Sequence, residues 1–312
     1  MLSPTEASLR GSYPPLVTPF RDGEIDLDTY ESLIEFQIAS NSHGIVVAGT
    51  SGEPALLTLA ERKALASTAV RVAAGRIPVL VATGAQSLAD TLELSAHAEA
   101  VGAAGLLVVT PAFTKPPQRG LVAFYKVVCD STALPVLMYH IPGRSAVAVE
   151  VETLAEIATG CENLVGVKHA STDLSWVTDV LLRLGPDFRI LVGLEELSFP
   201  MLAVGATGLV NAVANLFPGP VAALYGAVCD GNLAEAKRLH QALWQLNKAV
   251  FLDTNPIPVK YMMYRRGLLP TNEERLPMVA ATPAVQQLCD QVLGIADRLF
   301  GDLPAAKKGF PA

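Results

Sequence analysis

Short apolar runs recur along the chain, and each is followed by a turn and then by a longer segment with helical periodicity. Eight runs precede residue 211, at 15–17, 44–48, 78–82, 105–109, 135–138, 164–167, 188–192 and 208–210. Strands that are apolar on both faces and alternate with helices are typical of a parallel sheet covered on both sides. Eight such units predict the α/β class and a (β/α)₈ TIM barrel, because that fold closes with eight strands in about 250 residues.

A doubly wound open sheet is the alternative architecture for this pattern. That fold commonly carries a glycine-rich phosphate loop after its first strand. Residues 17–20, after the first run, contain no glycine, and neither GxGxxG nor GxxxxGK[ST] occurs anywhere in the chain. The barrel is therefore the preferred prediction.

Start signals mark several of the helices between the runs. Asp26 stands before one helix, Thr58 and Glu61 form a capping box before the next, and Ser87 with Asp90 begins a third. Each of these residues can accept or donate a hydrogen bond at a free helix N-terminus. The capping pattern supports the alternation of strands and helices.

A long helical pattern follows the last run, from about residue 220 to residue 300. This excess over the barrel predicts a C-terminal helical extension. We divide the chain into a barrel with the active site at 1–220, the extension at 221–302, and a loose Pro/Ala/Lys tail at 303–312.

Charge and hydropathy exclude several classes of protein. The net charge is −7 and the basic residues are dispersed, so no nucleic-acid partner is predicted. Residues 197–229 carry no charge, but their prolines and asparagines argue against a membrane span. The first residues lack a signal-peptide pattern, which makes the cytoplasm the default compartment.

The four cysteines are far apart in the sequence, and no CxxC pair occurs. We interpret them as reduced core thiols; they are Cys129, Cys161, Cys229 and Cys289.

Lys168 closes the sixth run, at the end of a strand where a barrel places its catalytic groups. Burial disfavours the ammonium form and lowers the pKa of a lysine, and the neutral amine is a nucleophile toward carbonyl carbon. We therefore interpret Lys168 as a Schiff-base lysine. A snorkelling or ion-paired lysine at a strand end is the alternative.

Two further strand ends supply groups that suit this chemistry. The second run leads into Gly-Thr-Ser-Gly-Glu at 49–53, where the hydroxyls of Thr50 and Ser51 and the backbone N–H groups could bind a carboxylate. An ordinary turn is the alternative there. The fifth run ends at Tyr139, whose phenol could carry protons, and Arg144 in the next loop could grip a second carboxylate. Taken alone, Tyr139 would be a core residue and Arg144 a surface charge.

The remaining strand ends add little chemistry. Gly193 would leave room above the site, and Val210 would line the same space. Glu195 and Glu196 are interpreted as helix-start charges rather than as an acid/base pair. The five histidines follow no metal-binding spacing, so no metal is predicted.

Together, these residues resemble the dihydrodipicolinate synthase/N-acetylneuraminate lyase family of pyruvate-dependent class I aldolases. The similarity covers nearly the whole chain. Segment 49–53 resembles the family's G-T/S-T-G-E turn, 134–144 its L-P-x-x-x-Y-x-x-P-x-R segment and 166–168 its G-x-K, and 255–260 adds a match in the extension. The resemblance implies a barrel with C-terminal helices, assembled as a homotetramer or homodimer.

The resemblance also implies roles for the candidate residues. Lys168 would form an imine with pyruvate without any cofactor, Tyr139 would move protons, and Thr50 and Ser51 would bind the pyruvate carboxylate. Arg144 would hold the carboxylate of an aldehyde such as aspartate semialdehyde. The implied function is a lyase that joins or cleaves pyruvate and an acid-bearing aldehyde.

Two departures from the family pattern keep alternatives open. Phe113 stands where the synthases have a second tyrosine, contributed across a dimer interface, and it has no proton to pass. Leu59, Arg62, Gln86 and Ala112 replace polar contacts of lysine-inhibited synthases, which argues against feedback by lysine. The alternatives are a divergent catabolic 2-keto acid aldolase or dehydratase outside lysine biosynthesis, and a catalytically silent keto-acid binder.

Overall fold

The computed structural model describes residues 9–301. Its strands in chain order are β1 Gly11–Ser12, β2 Phe20–Arg21, β3 Glu24–Ile25, β4 Ile45–Val47, β5 Val79–Ala82, β6 Gly105–Val109, β7 Val136–His140, β8 Leu164–His169, β9 Arg189–Val192 and β10 Gly208–Leu209. Eight strands form one parallel sheet in the order β1-β10-β9-β8-β7-β6-β5-β4, and β2 and β3 form a separate antiparallel pair. The predicted α/β barrel is confirmed.

The segment after β1 closes the ring of strands between β10 and β4. The Tyr13 N–H donates to a carbonyl of β10 at 2.8 Å, and the Val46 N–H donates to the Pro14 carbonyl at 2.9 Å. The predicted first strand at 15–17 is wrong, because the regular strand ends at residue 12 and Pro15 makes a single bridge to Val46. Pro14 and Pro15 have no N–H, so a regular ladder cannot continue through them.

The helices cover the outside of the ring. They are α1 Leu27–Ala39, α2 Leu59–Ala73, α3 Leu88–Val101, α4 Gln118–Asp130, α5 Pro142–Ser145, α6 Val151–Gly160, α7 Leu174–Leu184, α8 Ser198–Ala203, α9 Pro218–Cys229, α10 Leu233–Ala249, α11 Ile257–Arg265 and α12 Pro283–Phe300. The predicted caps of α1, α2 and α3 are confirmed, including the reciprocal hydrogen bonds of the Thr58–Glu61 capping box.

Four helices follow the last strand. Helix α9 packs against β1, and α12 packs against both α10 and α11 to form the predicted extension. Residues 266–282 are not helical, so the helical pattern predicted up to residue 300 is interrupted there, and Pro270 and Pro277 lie within this stretch. The boundary at residue 220 falls inside α9 and stays a prediction. The tail at 303–312 lies outside the described residues.

Alternate residues of each strand face two different cores. The inward side chains pack together inside the ring; they include Val46, Leu80, Leu107, Leu137 and Leu191. Their sequence neighbours pack outward against the helices. In β7 and β8 the same alternation turns Tyr139 and Lys168 into the ring and His140 and His169 toward the helices.

Two expectations drawn from composition can be compared with the structure. Within residues 9–301, no helix combines the length and the apolar character that crossing a membrane requires. Cys129, Cys161 and Cys289 are free and buried, as predicted. The prediction is wrong for Cys229, which is free but exposed, because it ends α9 where the helix meets solvent.

Candidate active site

Lys168 and Tyr139 lie side by side near the carboxyl ends of β8 and β7. The two residues are paired in register, and Lys168 Nζ lies 4.1 Å from the centroid of the Tyr139 ring. Lys168 is only 3% exposed, and none of the ion pairs between described residues includes it. The structure therefore excludes the snorkelling alternative, and no carboxylate of the described residues lies within ion-pair distance of the Lys168 amine.

The turn after β4 brings two hydroxyl groups to the same place. Thr50 Oγ1 lies 3.0 Å from Tyr139 Oη, within hydrogen-bond distance. Ser51 is buried, and its Oγ accepts a hydrogen bond from Asn255 Nδ2 at 3.1 Å. The phenol and the Thr50 hydroxyl thus form a hydrogen-bonded pair through which a proton can pass, and the Ser51 hydroxyl is held next to them.

One cavity of about 280 Å³ brings the predicted site residues together. Its lining includes Thr50, Ser51, Tyr139, Arg144, Lys168, Gly193 and Val210. A second, mostly apolar lobe of about 120 Å³ shares Thr50, Tyr139 and Arg144 with it. A Cβ on Gly193 would lie 2.9 Å from Lys168 Cε, so glycine at this position leaves space for the lysine side chain.

Arg144 lies at the rim of the cavity, in the short helix α5. Its side chain is exposed, and its guanidinium donates to the Asn255 carbonyl at 3.3 Å, which leaves further donors for a carboxylate. Asn255 also holds Ser51, yet it is not among the residues predicted for the site. The family match at 255–260 is the sequence signal that points to this segment, but its contacts with Ser51 and Arg144 are visible only in the tertiary structure.

Glu195 occupies the wall of the same cavity. It begins the 3-10 turn Glu195–Leu197, which agrees with a helix-start position. Its side chain is buried, however, whereas that of Glu196 is exposed, so the two neighbouring carboxyl groups lie in different environments. Burial raises the pKa of Glu195 to about 7, against the opposing effects of backbone hydrogen bonds and of the Lys168 charge.

Phe113 does not line the cavity of its own chain. The side chain is 91% exposed, and its backbone has a φ of 67°, a left-handed conformation that is uncommon for a bulky residue. Within one chain, residue 113 therefore adds no third hydroxyl group to the hydrogen-bonded pair of Tyr139 and Thr50.

A buried charged cluster anchors the Thr50–Gly52 turn to the extension. Glu53 is the next residue of the chain, and its Oε1 lies 3.2 Å from Lys260 Nζ. The same Nζ lies 3.0 Å from Glu274 Oε2, and the Lys260 side chain is 1% exposed. Burial raises the pKa of Glu53 and raises that of Glu274 to about 7. One lysine thus pairs two carboxyl groups inside the protein.

His140 and His169 point away from the cavity and form a neutral pair. Their Nδ1 atoms lie 3.1 Å apart, His140 Nε2 accepts from the Val149 N–H, and His169 Nε2 donates to the Asp173 carbonyl. One proton on each ring satisfies all of these hydrogen bonds. Burial lowers the pKa of each histidine to about 4.

We expect the free energy of unfolding to decrease as the pH falls below about 6.5. The unfolded chain protonates His140 and His169 near that pH, whereas the folded chain resists protonation down to about 4. The stabilisation is therefore complete above the unfolded pKa and is lost as the pH falls toward the folded one. Roughly 3 kcal/mol is expected for one histidine, at about 1.4 kcal/mol per pKa unit.

Urea unfolding at several pH values between 7 and 5 measures this effect. The variant His169→Gln should show a weaker pH dependence than the wild-type protein. An identical dependence in the two proteins would show that the histidine pair is not its source.

The chain is similar to known proteins over nearly its whole length. The sequence profile of the Dihydrodipicolinate synthetase family matches residues 8–295. The 4-hydroxy-tetrahydrodipicolinate synthase of Thermus thermophilus is 40% identical over 300 residues, which are 96% of this chain and 99% of the relative. That of Aquifex aeolicus is 37% identical over 284 residues, 91% of this chain and 96% of the relative.

Solved structures agree with the sequence comparisons. The crystal structure of dihydrodipicolinate synthase from Aquifex aeolicus superimposes with a TM-score of 0.91 at 36% identity, covering 94% of this chain and 100% of that one. The enzyme from Thermotoga maritima superimposes with a TM-score of 0.89 at 37% identity, covering 92% of this chain and 98% of that one. The similarity therefore includes both the barrel and the extension.

Proposed function

The chain belongs to the dihydrodipicolinate synthetase family, and we propose that Lys168 is the residue through which it acts as a Schiff-base pyruvate lyase. Like its relatives, it is a class I pyruvate-dependent aldolase that needs no external cofactor. The observation that carries the assignment of Lys168 is its buried amine beside Tyr139 in the cavity. The synthase function is preferred over a catabolic aldolase or a silent binder, because the relatives that are similar over nearly the whole chain are 4-hydroxy-tetrahydrodipicolinate synthases.

Imine formation begins with attack of the neutral Lys168 amine on C2 of pyruvate. The new N–C bond gives a carbinolamine, which loses its hydroxyl as water to form the imine. The hydroxyls of Thr50 and Ser51 and the amides of their turn lie where they can bind the pyruvate carboxylate. Tyr139 can supply and remove protons through its contact with Thr50.

Carbon–carbon bond formation follows from the imine. Loss of a proton from C3 of the bound pyruvate gives an enamine, whose C3 adds to the carbonyl carbon of the aldehyde. The aldehyde oxygen takes up a proton, and water then hydrolyses the imine and frees Lys168. Arg144 at the rim lies where it can hold a carboxylate on the aldehyde.

Arg144→Ala is expected to impair the reaction selectively with acid-bearing aldehydes. A charge-assisted hydrogen bond to a carboxylate contributes about 1.5–3 kcal/mol, so kcat/KM should fall by about 10- to 100-fold. Neutral aldehydes have no group for Arg144 to bind and should be affected far less. Steady-state kinetics with both kinds of aldehyde measure the difference, and equal losses would rule out a carboxylate clamp.

The proposed function as a whole is tested by parallel assays of pyruvate with several aldehydes. Aspartate semialdehyde, succinate semialdehyde and a neutral sugar are each supplied at the same concentration, and product formation is followed by mass spectrometry. We expect the fastest condensation with aspartate semialdehyde, the partner that the Arg144 position favours. If pyruvate forms no borohydride-reducible adduct and no aldehyde is consumed, the chain is a silent binder.

Assembly and compartment are parts of the same proposal. We propose that the chain forms a homodimer or homotetramer, because an aromatic ring as exposed as that of Phe113 is suited to a contact between subunits. The cytoplasm is the proposed compartment, and the free state of the four cysteines fits a reducing environment.

A further inference from the structure

Glu195 is a buried carboxyl group that the reaction as described does not use. The side chain is 1% exposed and lines the cavity that also contains Lys168. Its Oε1 accepts a hydrogen bond from the Ala212 N–H, whereas its Oε2 is buried without a hydrogen-bond partner among the described residues. A buried carboxyl oxygen without a partner is costly, so its retention beside the reactive amine calls for a functional reason.

Lys168 is the charged group that acts on Glu195 from the neighbouring elements. The turn at 212–215 and helix α8 carry no charged side chain. Helix α10 presents the neutral amide of Asn247, which donates to the Glu195 carbonyl at 3.2 Å, while Lys248 of the same helix lies over the ring of Trp244. Glu196 is exposed. The Glu195 carboxyl and the Lys168 amine therefore line the same cavity as two opposite charges that influence each other without a direct contact.

We propose, given the function proposed above, that Glu195 acts as a general base and acid that holds the proton which Lys168 exchanges during imine formation. No direct ion pair joins the two groups, so the carboxylate takes the proton from the ammonium through a water molecule in the cavity, which leaves a neutral amine and a carboxylic acid. After the amine has attacked C2 of pyruvate, the acid returns the proton to the carbinolamine hydroxyl. The C–O bond then breaks, water leaves, and the nitrogen lone pair forms the C=N bond.

This exchange keeps the total charge of the buried site constant. The two side chains pass from ammonium with carboxylate, through amine with carboxylic acid, to iminium with carboxylate, so together they carry no net charge in any of these states. A charge without a counter-charge is costly in such surroundings. A proton holder works best when its pKa is close to the working pH, and burial brings the pKa of Glu195 to about 7.

The test measures how fast the imine forms rather than how much of it forms. Protein and pyruvate are mixed at pH values from 6 to 8, quenched with borohydride at short times, and the adduct on Lys168 is quantified by mass spectrometry. In the wild-type protein, we expect the rate to rise with pH up to about 7 and then to level off, as Glu195 becomes ionised.

Glu195→Gln removes the ionisation but keeps an oxygen that can accept from the Ala212 N–H. We expect imine formation to slow by about 100-fold and its rate to keep rising with pH without levelling off. The amount of adduct at long times should change much less, because ammonium and iminium carry the same charge.

Two further variants serve as rescue and control. Glu195→Asp should restore part of the rate of imine formation and the levelling of that rate above about pH 7. The exposed neighbour gives the matched control, Glu196→Gln, which should behave like the wild-type protein.

Opposite results would overturn the proposal without affecting the proposed function. One such result is a Glu195→Gln protein that forms the imine at the wild-type rate and with the wild-type pH profile. The other is a Glu196→Gln protein whose rate of imine formation no longer levels off as the pH rises. If Glu195→Gln does not fold, the wild-type profile decides, since a rate that rises steadily across the whole pH range contradicts a proton holder at Glu195. Absence of any adduct on Lys168 in the wild-type protein would instead refute the proposed function.

Discussion

Lys168→Ala is expected to abolish the covalent adduct that borohydride reduction forms between the protein and pyruvate. Alanine has no amine to condense with C2 of pyruvate, and no other lysine of residues 9–301 lines the cavity. Without the imine there is no enamine, so the carbon nucleophile is lost as well. We expect turnover to fall on the order of 10⁴-fold or more. Intact-protein mass and peptide mapping after reduction measure the adduct and its position.

A surface lysine provides the control for this experiment. Lys126 lies on α4, is exposed and pairs with Asp130 four residues on, so Lys126→Ala should leave the adduct and the turnover unchanged. A mass increase that persists in Lys168→Ala and maps to another lysine would refute the assignment of the imine.

Lys260→Met is expected to cost about 3–5 kcal/mol of the free energy of unfolding. Methionine has a similar length but no charge, so Glu53 and Glu274 would be left buried without their shared counter-charge. The Glu273 carbonyl would also lose the hydrogen bond that Lys260 Nζ donates at 2.7 Å. Removing one partner of a buried pair costs far more than the pair itself contributes, because the remaining charge stays desolvated.

Urea unfolding of the wild-type and variant proteins at pH 8 measures this loss. The difference between the two proteins should shrink as the pH falls below about 7, where Glu274 takes up a proton and a neutral carboxyl needs no counter-charge. Lys237→Met on the exposed face of α10 is the control and should stay within about 0.5 kcal/mol of the wild-type protein. A change equally small in Lys260→Met would mean that the cluster does not stabilise the fold.

The same cluster shows why distant residues affect the active site. Glu53 directly follows the Thr50–Gly52 turn, and its lysine partner lies more than 200 residues later, on α11. Asn255, just before α11, holds Ser51 and Arg144 in the same way. The extension therefore supports the Thr50–Gly52 turn directly.

Much of the fold could be predicted because its signals are local. Apolar runs, helix caps and polar residues at strand ends are each contained within a few neighbouring positions. The alternation of side chains in β7 and β8 then placed Tyr139 and Lys168 on the same side of the barrel. The exception was the first strand, which was predicted at 15–17 but lies at Gly11–Ser12. Pro14 and Pro15 cannot donate backbone hydrogen bonds, so the regular ladder does not extend through the apolar run.

Glu195 and Glu196 illustrate what local signals cannot decide. They are identical residues in adjacent positions, yet one is buried in the cavity wall and the other is exposed. Their environments differ because the turn at 212–215 and helix α10 pack around only one of them.

The barrel, the extension and the residues at the carboxyl ends of the strands could be read from the sequence, because strand period, helix caps and motif spacing are properties of neighbouring residues. The tertiary structure was needed to show that Glu195 and Lys168 line one cavity, that Asn255 and Lys260 support the turn at Thr50, and that Phe113 lies outside its own cavity. Burial and charge pairing depend on segments that are far apart in the chain and meet only when it folds.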